Sequence, residues 1–67
     1  MASEQTKRAV LSELERAYPG AMTGRSLVSL VEDDSRETVE NALSELVVEQ
    51  RVERRREKGM TKYRFKE

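Results

Sequence analysis

Cysteine and histidine are both missing from these 67 residues. Their absence excludes disulfide staples and His/Cys metal sites, and with them two common ways of stabilising a small chain. Tryptophan is absent too, and two tyrosines and one phenylalanine are all the aromatic content. No apolar run approaches the roughly 20 residues of a membrane span, so no membrane partner is expected. Met-Ala-Ser-Glu-Gln at the start lacks the charged and apolar regions of a signal peptide. These absences point to a cytoplasmic protein. A start at Met1 with no tag reads as a complete small protein. Residues 1–67 are expected to form a single domain, held by one minimal apolar core.

Catalysis is not expected. The carboxylates offer no pair isolated in an apolar setting, as acid–base chemistry requires. There is no Cys or His nucleophile–base arrangement and no phosphate-cradling glycine loop. So short a chain also has little room for a water-excluding pocket. No cofactor, metal or small-molecule effector is implied.

Charge is what the chain has in abundance, at 39% of its residues. It is unevenly placed. Residues 1–50 carry five Lys/Arg and ten Asp/Glu, which is −5; residues 51–67 carry eight Lys/Arg and three Asp/Glu, which is +5. The net charge of zero is a cancellation of two opposed regions. A basic segment joined to an acidic body suggests contact with nucleic acid through the C-terminal end.

Periodicity divides the body into three helical segments. Over about 4–17, Val10, Leu11, Leu14, Ala17 and Tyr18 recur at three and four residues, making one apolar stripe with Lys7, Glu13 and Arg16 opposite. Ser3 fits an N-cap, and Pro19-Gly20 ends the segment. Ala21-Met22 is a short apolar stub that fits a strand. Thr23 fits the next N-cap, before a helix over about 24–31 with Leu27, Leu30 and Val31 buried. Glu32, Asp33 and Asp34 serve a turn and a helix start. Asp34 with Glu37 has capping-box spacing. The third segment, about 35–50, buries Val39, Ala42, Leu43, Leu46 and Val47.

The pattern then changes to two extended stretches, about 51–56 and 60–66. In the second, Tyr63 and Phe65 share a face by alternation. Lys58-Gly59 is the turn between them, with Gly59 supplying a positive φ. The expected fold is therefore α+β: three helices and a C-terminal β-hairpin over about 51–66. The second helix, polar turn and third helix fit a helix-turn-helix, and the hairpin makes it winged.

The stretch from Ser35 to Leu46 resembles the recognition helix of GntR-type bacterial repressors. The pattern Ser-Arg-x-Thr-Val-x-x-Ala-Leu is matched by Ser35, Arg36, Thr38, Val39, Ala42 and Leu43, followed by Leu46 and Gly59. The ending from Arg55 to Phe65 also resembles the wing of the small pilus-operon regulators. These resemblances imply a sequence-specific regulator of transcription bound to double-stranded DNA. They place the third helix in the major groove and the basic wing on the backbone or minor groove. One residue departs from the pattern: the position after Thr-Val is often Arg in GntR-type helices, and here it is Glu40.

The residues by themselves suit the same roles. Arg36 can reach guanine or phosphate, and Thr38 and Asn41 can make shorter hydrogen bonds. Ser35 can donate to a phosphate at the helix start. Arg54, Arg55, Arg56 and Lys58 can line a backbone or minor groove. Each of these also has a plainer use. Arg36 can pair with Asp33 or Glu40, Thr38 and Asn41 can be a solvated face, and the arginine run can protect a sheet edge. A small domain offers few contacts, so a homodimer or a larger regulatory protein is an expected partner. The rival is a protein–protein interaction module with no DNA binding of its own, favoured by Glu37, Glu40, Glu45 and Glu49 on the third segment. RNA or single-strand binding by the hairpin is a third possibility.

Overall fold

A computed structural model describes residues 4–31 and 35–67. Helix α1 (Glu4–Ala17) buries Val10, Leu11 and Leu14 of the stripe expected from spacing, while Ala17 is half-buried and Tyr18, just past the helix end, is not core. Lys7 lies in that stripe rather than opposite it: it is only 7% exposed. It stands three residues before Val10 and four before Leu11, so helical geometry turns it to the same side. Tyr18 is 40% exposed and stacks edge-on against Phe65, with ring centroids 5.9 Å apart.

Strand β1 (Met22–Thr23) leads directly into helix α2 (Gly24–Leu30). Thr23 caps the helix, its Oγ1 accepting the Ser26 N–H at 3.2 Å. Leu27 and Val31 are buried and Val28 packs partly against them. Leu30 is 49% exposed, against the expectation that it is core. At roughly 100° per residue, Leu27, Val28 and Val31 share an arc on one side of the helix, and Leu30 falls beyond its opposite edge.

Helix α3 (Arg36–Val48) has Ser35 as its N-cap. The expected Ser3 cap, the Glu32-Asp33-Asp34 turn, and the Asp34 member of the capping box lie outside the described residues. The helix stops at Val48, two residues short of the expected end, because Gln50 turns into the left-handed region at φ 63°. There the Gln50 N–H donates to the Val47 carbonyl and the Arg51 N–H to that of Leu46, both at 3.0 Å. This is the bonding of a Schellman motif, with glutamine where glycine is usual.

Strands β2 (Val52–Glu57) and β3 (Met60–Phe65) form the hairpin. Lys58 and Gly59 occupy its turn at φ 50° and 79°. Two successive positive φ values match the right-handed twist of the flanking strands. The register runs from Val52 opposite Phe65 to Glu57 opposite Met60. β1 pairs antiparallel with the other edge of β3, giving the order β1-β3-β2.

The result is an α+β domain of three helices and a three-stranded antiparallel sheet. Val10, Leu14, Leu27, Val39, Ala42, Leu43 and Leu46 are fully buried between the helices, and the sheet closes the core with Val52 and Tyr63. Each fully buried Leu or Val stabilises the fold by about 1.5–3 kcal/mol relative to exposure. Among the described residues, no helix is long and apolar enough to cross a membrane.

Candidate nucleic-acid interface

Burying Val39, Ala42, Leu43 and Leu46 on one side of α3 fixes what the other side shows. Arg36, Glu37, Glu40, Asn41, Ser44 and Val48 are all exposed. Val48 is 82% exposed, an apolar residue at the C-terminal end of an otherwise polar surface.

The four acids of the α3 segment are not one patch. Lys7 reaches across from α1 and donates to Glu49 at 2.5 Å. Its ammonium also stands 3.6 Å from Glu45 and 3.9 Å from Glu4. The Glu49 hydrogen bond, with help from the charges of Glu49, Glu4 and Glu45, raises Lys7 above its ordinary value of 10.5 against the opposing effect of burial. Glu45 and Glu49 are thereby turned toward α1. Glu37 and Glu40 remain on the outer face.

Arg36 donates from Nε to Glu40 at 3.1 Å, one helical turn on. The pair is exposed, and pairs of this kind contribute only a few tenths of a kcal/mol, about 0.3–0.5. Ser35 Oγ accepts the Thr38 N–H at 3.2 Å and shares a hydrogen bond with the Thr38 hydroxyl at 2.9 Å. Both hydroxyls are therefore engaged in starting the helix. Thr38 is half-buried, whereas Asn41 is open to solvent.

Strand alternation separates the arginine run. Arg54 is paired with Tyr63, and Arg56 with Thr61, on the face toward the core. Arg55 pairs with Lys62 on the reverse face. Arg54 folds back on the body: its guanidinium lies 5.5 Å from the Tyr63 ring centroid and donates to Ser44 at 3.2 Å. The hairpin is thus braced against α3 by one of its own cations. Arg55 directly opposite Lys62 is a like-charge pair, which disfavours pairing there. On the same reverse face Arg64 donates to Glu53 at 2.6 and 3.1 Å. That bond holds the Glu53 carboxyl below its ordinary value of 4.5. Lys58 is exposed in the turn.

An open groove of about 500 Å³ lies where α2, α3 and the hairpin meet, with Arg36 and Glu40 on one wall and Met60, Thr61 and Tyr63 on another. Thr23, Gly24 and Arg25 complete it. Of the expected site residues, only Arg36 lines this groove. Arg25, Met60 and Thr61 were not among the expected site residues. The Thr23 cap carried a signal for Arg25, since it sets Arg25 in the exposed first turn of α2. Met60 and Thr61 reach the groove only through the packing of the hairpin on the helices.

No protein family, curated protein or solved structure matches this chain. Among the described residues, no group of three or more carboxylates is placed to hold a metal ion.

Proposed function

We propose that this protein is a winged helix-turn-helix regulator of transcription that binds double-stranded DNA sequence-specifically. In this reading α2 and α3 form the helix-turn-helix and β2–β3 is the wing. The outer face of α3 enters the major groove, which is about 12 Å wide, and the wing lies on the backbone or in the minor groove. The observation that carries the reading is the groove itself: α2, α3 and the hairpin open on one concave surface whose cations, Arg25 and Arg36, come from the two helices, while the hairpin adds Met60, Thr61 and Tyr63. Partition of the acids supports it as well. Glu45 and Glu49 are engaged by Lys7, which removes half of the acidic side chains from the surface offered to phosphates.

The roles divide by position. Arg36 and Asn41 read base edges. Arg25, Arg56 and Lys58 meet phosphates. Arg54 sets the wing against α3, and Arg55 serves a phosphate only on the reverse face. Ser35 and Thr38 organise the helix start, leaving the Ser35 hydroxyl a secondary phosphate contact. The domain acts as a cytoplasmic homodimer on paired half-sites, which supplies the contacts one small domain lacks.

The test is a gel shift with duplex DNA at two salt concentrations, repeated with Arg36→Ala and with Arg54→Ala/Arg56→Ala. Strong binding that weakens steeply with salt is expected, with both variants impaired. No binding at low salt sinks the reading. Val48, with Glu37 and Glu40 on the same face, favours a second reading as a protein–protein interaction module. Retained partner capture without DNA binding supports that reading.

A further inference from the structure

We infer that Glu40, resting on the DNA-binding reading above, acts with Arg36 as one composite reader of two neighbouring base pairs, Arg36 taking a guanine and Glu40 a cytosine. Both side chains line the same groove and both are largely exposed, at 77% and 56%. The pair uses Arg36 Nε and Glu40 Oε2. Among the described residues, that geometry leaves the two terminal guanidinium nitrogens of Arg36, the fork that matches guanine O6 and N7. It also leaves Glu40 Oε1, a carboxylate oxygen able to accept from a cytosine amino group. Arg36 is the first residue of α3 and Glu40 stands one turn on, so the pair occupies the N-terminal part of the helix, the part of a recognition helix that reaches base edges. Cytosine N4 is the one major-groove donor besides adenine N6, so a carboxylate there rejects guanine and thymine outright.

An acid on this face also explains itself energetically. It repels phosphate at every sequence, so it weakens non-specific binding, and it recovers the loss only where a base donor meets it. Glu40 therefore sharpens specificity. An exposed pair of this kind is too weak to be required by the fold.

Selection of bound duplexes from a random pool, with the full chain and with Glu40→Gln and Arg36→Ala, tests this. The native chain should prefer a guanine and a nearby cytosine, the latter by about tenfold, in keeping with a single base-edge hydrogen bond. Glu40→Gln should move the cytosine preference to adenine, which glutamine can bind bidentately, leaving the guanine unchanged. It should also raise affinity for random duplex. Arg36→Ala should lose the guanine preference. Thermal melts of each variant check that the fold is kept. If the native chain selects a site but Glu40→Gln selects the same one, the composite reader is wrong and the DNA-binding reading stands. If the native chain binds no duplex, both fall.

Discussion

Lys7 and Glu49 meet at 2.5 Å across 42 positions of sequence, joining the start of α1 to the end of α3. A lysine in an apolar stripe is otherwise costly, and here carboxylates surround its head while its stem lies along the core. The raised Lys7 value means that the unfolded chain releases this proton first as pH rises. The contribution is complete below about pH 10.5 and is lost as pH climbs through the folded value. Lys7→Met should lower the melting temperature near neutrality and flatten its fall above pH 10. An unchanged alkaline slope would count against the assignment.

Glu53 works at the other end of the scale. Arg64 holds its folded value below 4.5. Its contribution is present above roughly pH 4.5 and fades as pH falls through the lower folded value. Glu53→Gln should therefore reduce stability at neutral pH and soften the loss on acidification. Denaturant midpoints measured between pH 2 and 7 read this directly.

Two leucines of α2 should respond differently to the same truncation. Leu27 is fully buried, so Leu27→Ala should cost about 2–5 kcal/mol. Total stability for a domain this size is about 3–10 kcal/mol, so the variant stands near unfolding. Leu30→Ala removes a half-exposed side chain and should stay within about 1 kcal/mol. Urea titration of the two variants checks the contrast.

Gln50 holds a left-handed conformation that disfavours any side chain bearing a Cβ. Glycine relieves that strain but adds freedom to the unfolded chain. The net gain for Gln50→Gly should be about 0.5 kcal/mol, roughly 2–4 °C in melting temperature. Gln50→Val should shift it the other way.

Arg54 and Arg56 share a strand face, yet only Arg54 touches the body among the described contacts. Arg54→Ala should cost about 0.5–1 kcal/mol through the lost ring and hydroxyl contacts. Arg56→Ala should cost less than about 0.5 kcal/mol. Equal effects in thermal melts would show that the Tyr63 contact carries no stability.

Much of the fold could be read in advance because its signals are local. Thr23 caps α2 through a residue three positions on, and Lys58-Gly59 is a turn by its own backbone preferences. Given that two-residue turn, the register follows, and with it the alternation that separates Arg54 and Arg56 from Arg55. The place of Lys7 was also present in its spacing. A lysine is ordinarily assigned to solvent, however, and its burial is tolerable because Glu45 and Glu49 join Glu4 around its ammonium. The candidate groove was the least legible part. Arg25 comes to it from α2, Arg36 and Glu40 from α3, and Met60 and Thr61 from the hairpin.

Residue order alone dictated the three helices, the hairpin turn and the opposed charges of body and tail, since periodicity, caps and backbone preference act over a few residues. Tertiary packing decided which acids of α3 face Lys7, which leucine of α2 is left in solvent, and which arginine braces the hairpin. Those outcomes depend on side chains far apart in the chain coming within a few ångströms, where desolvation and charge pairing are settled together.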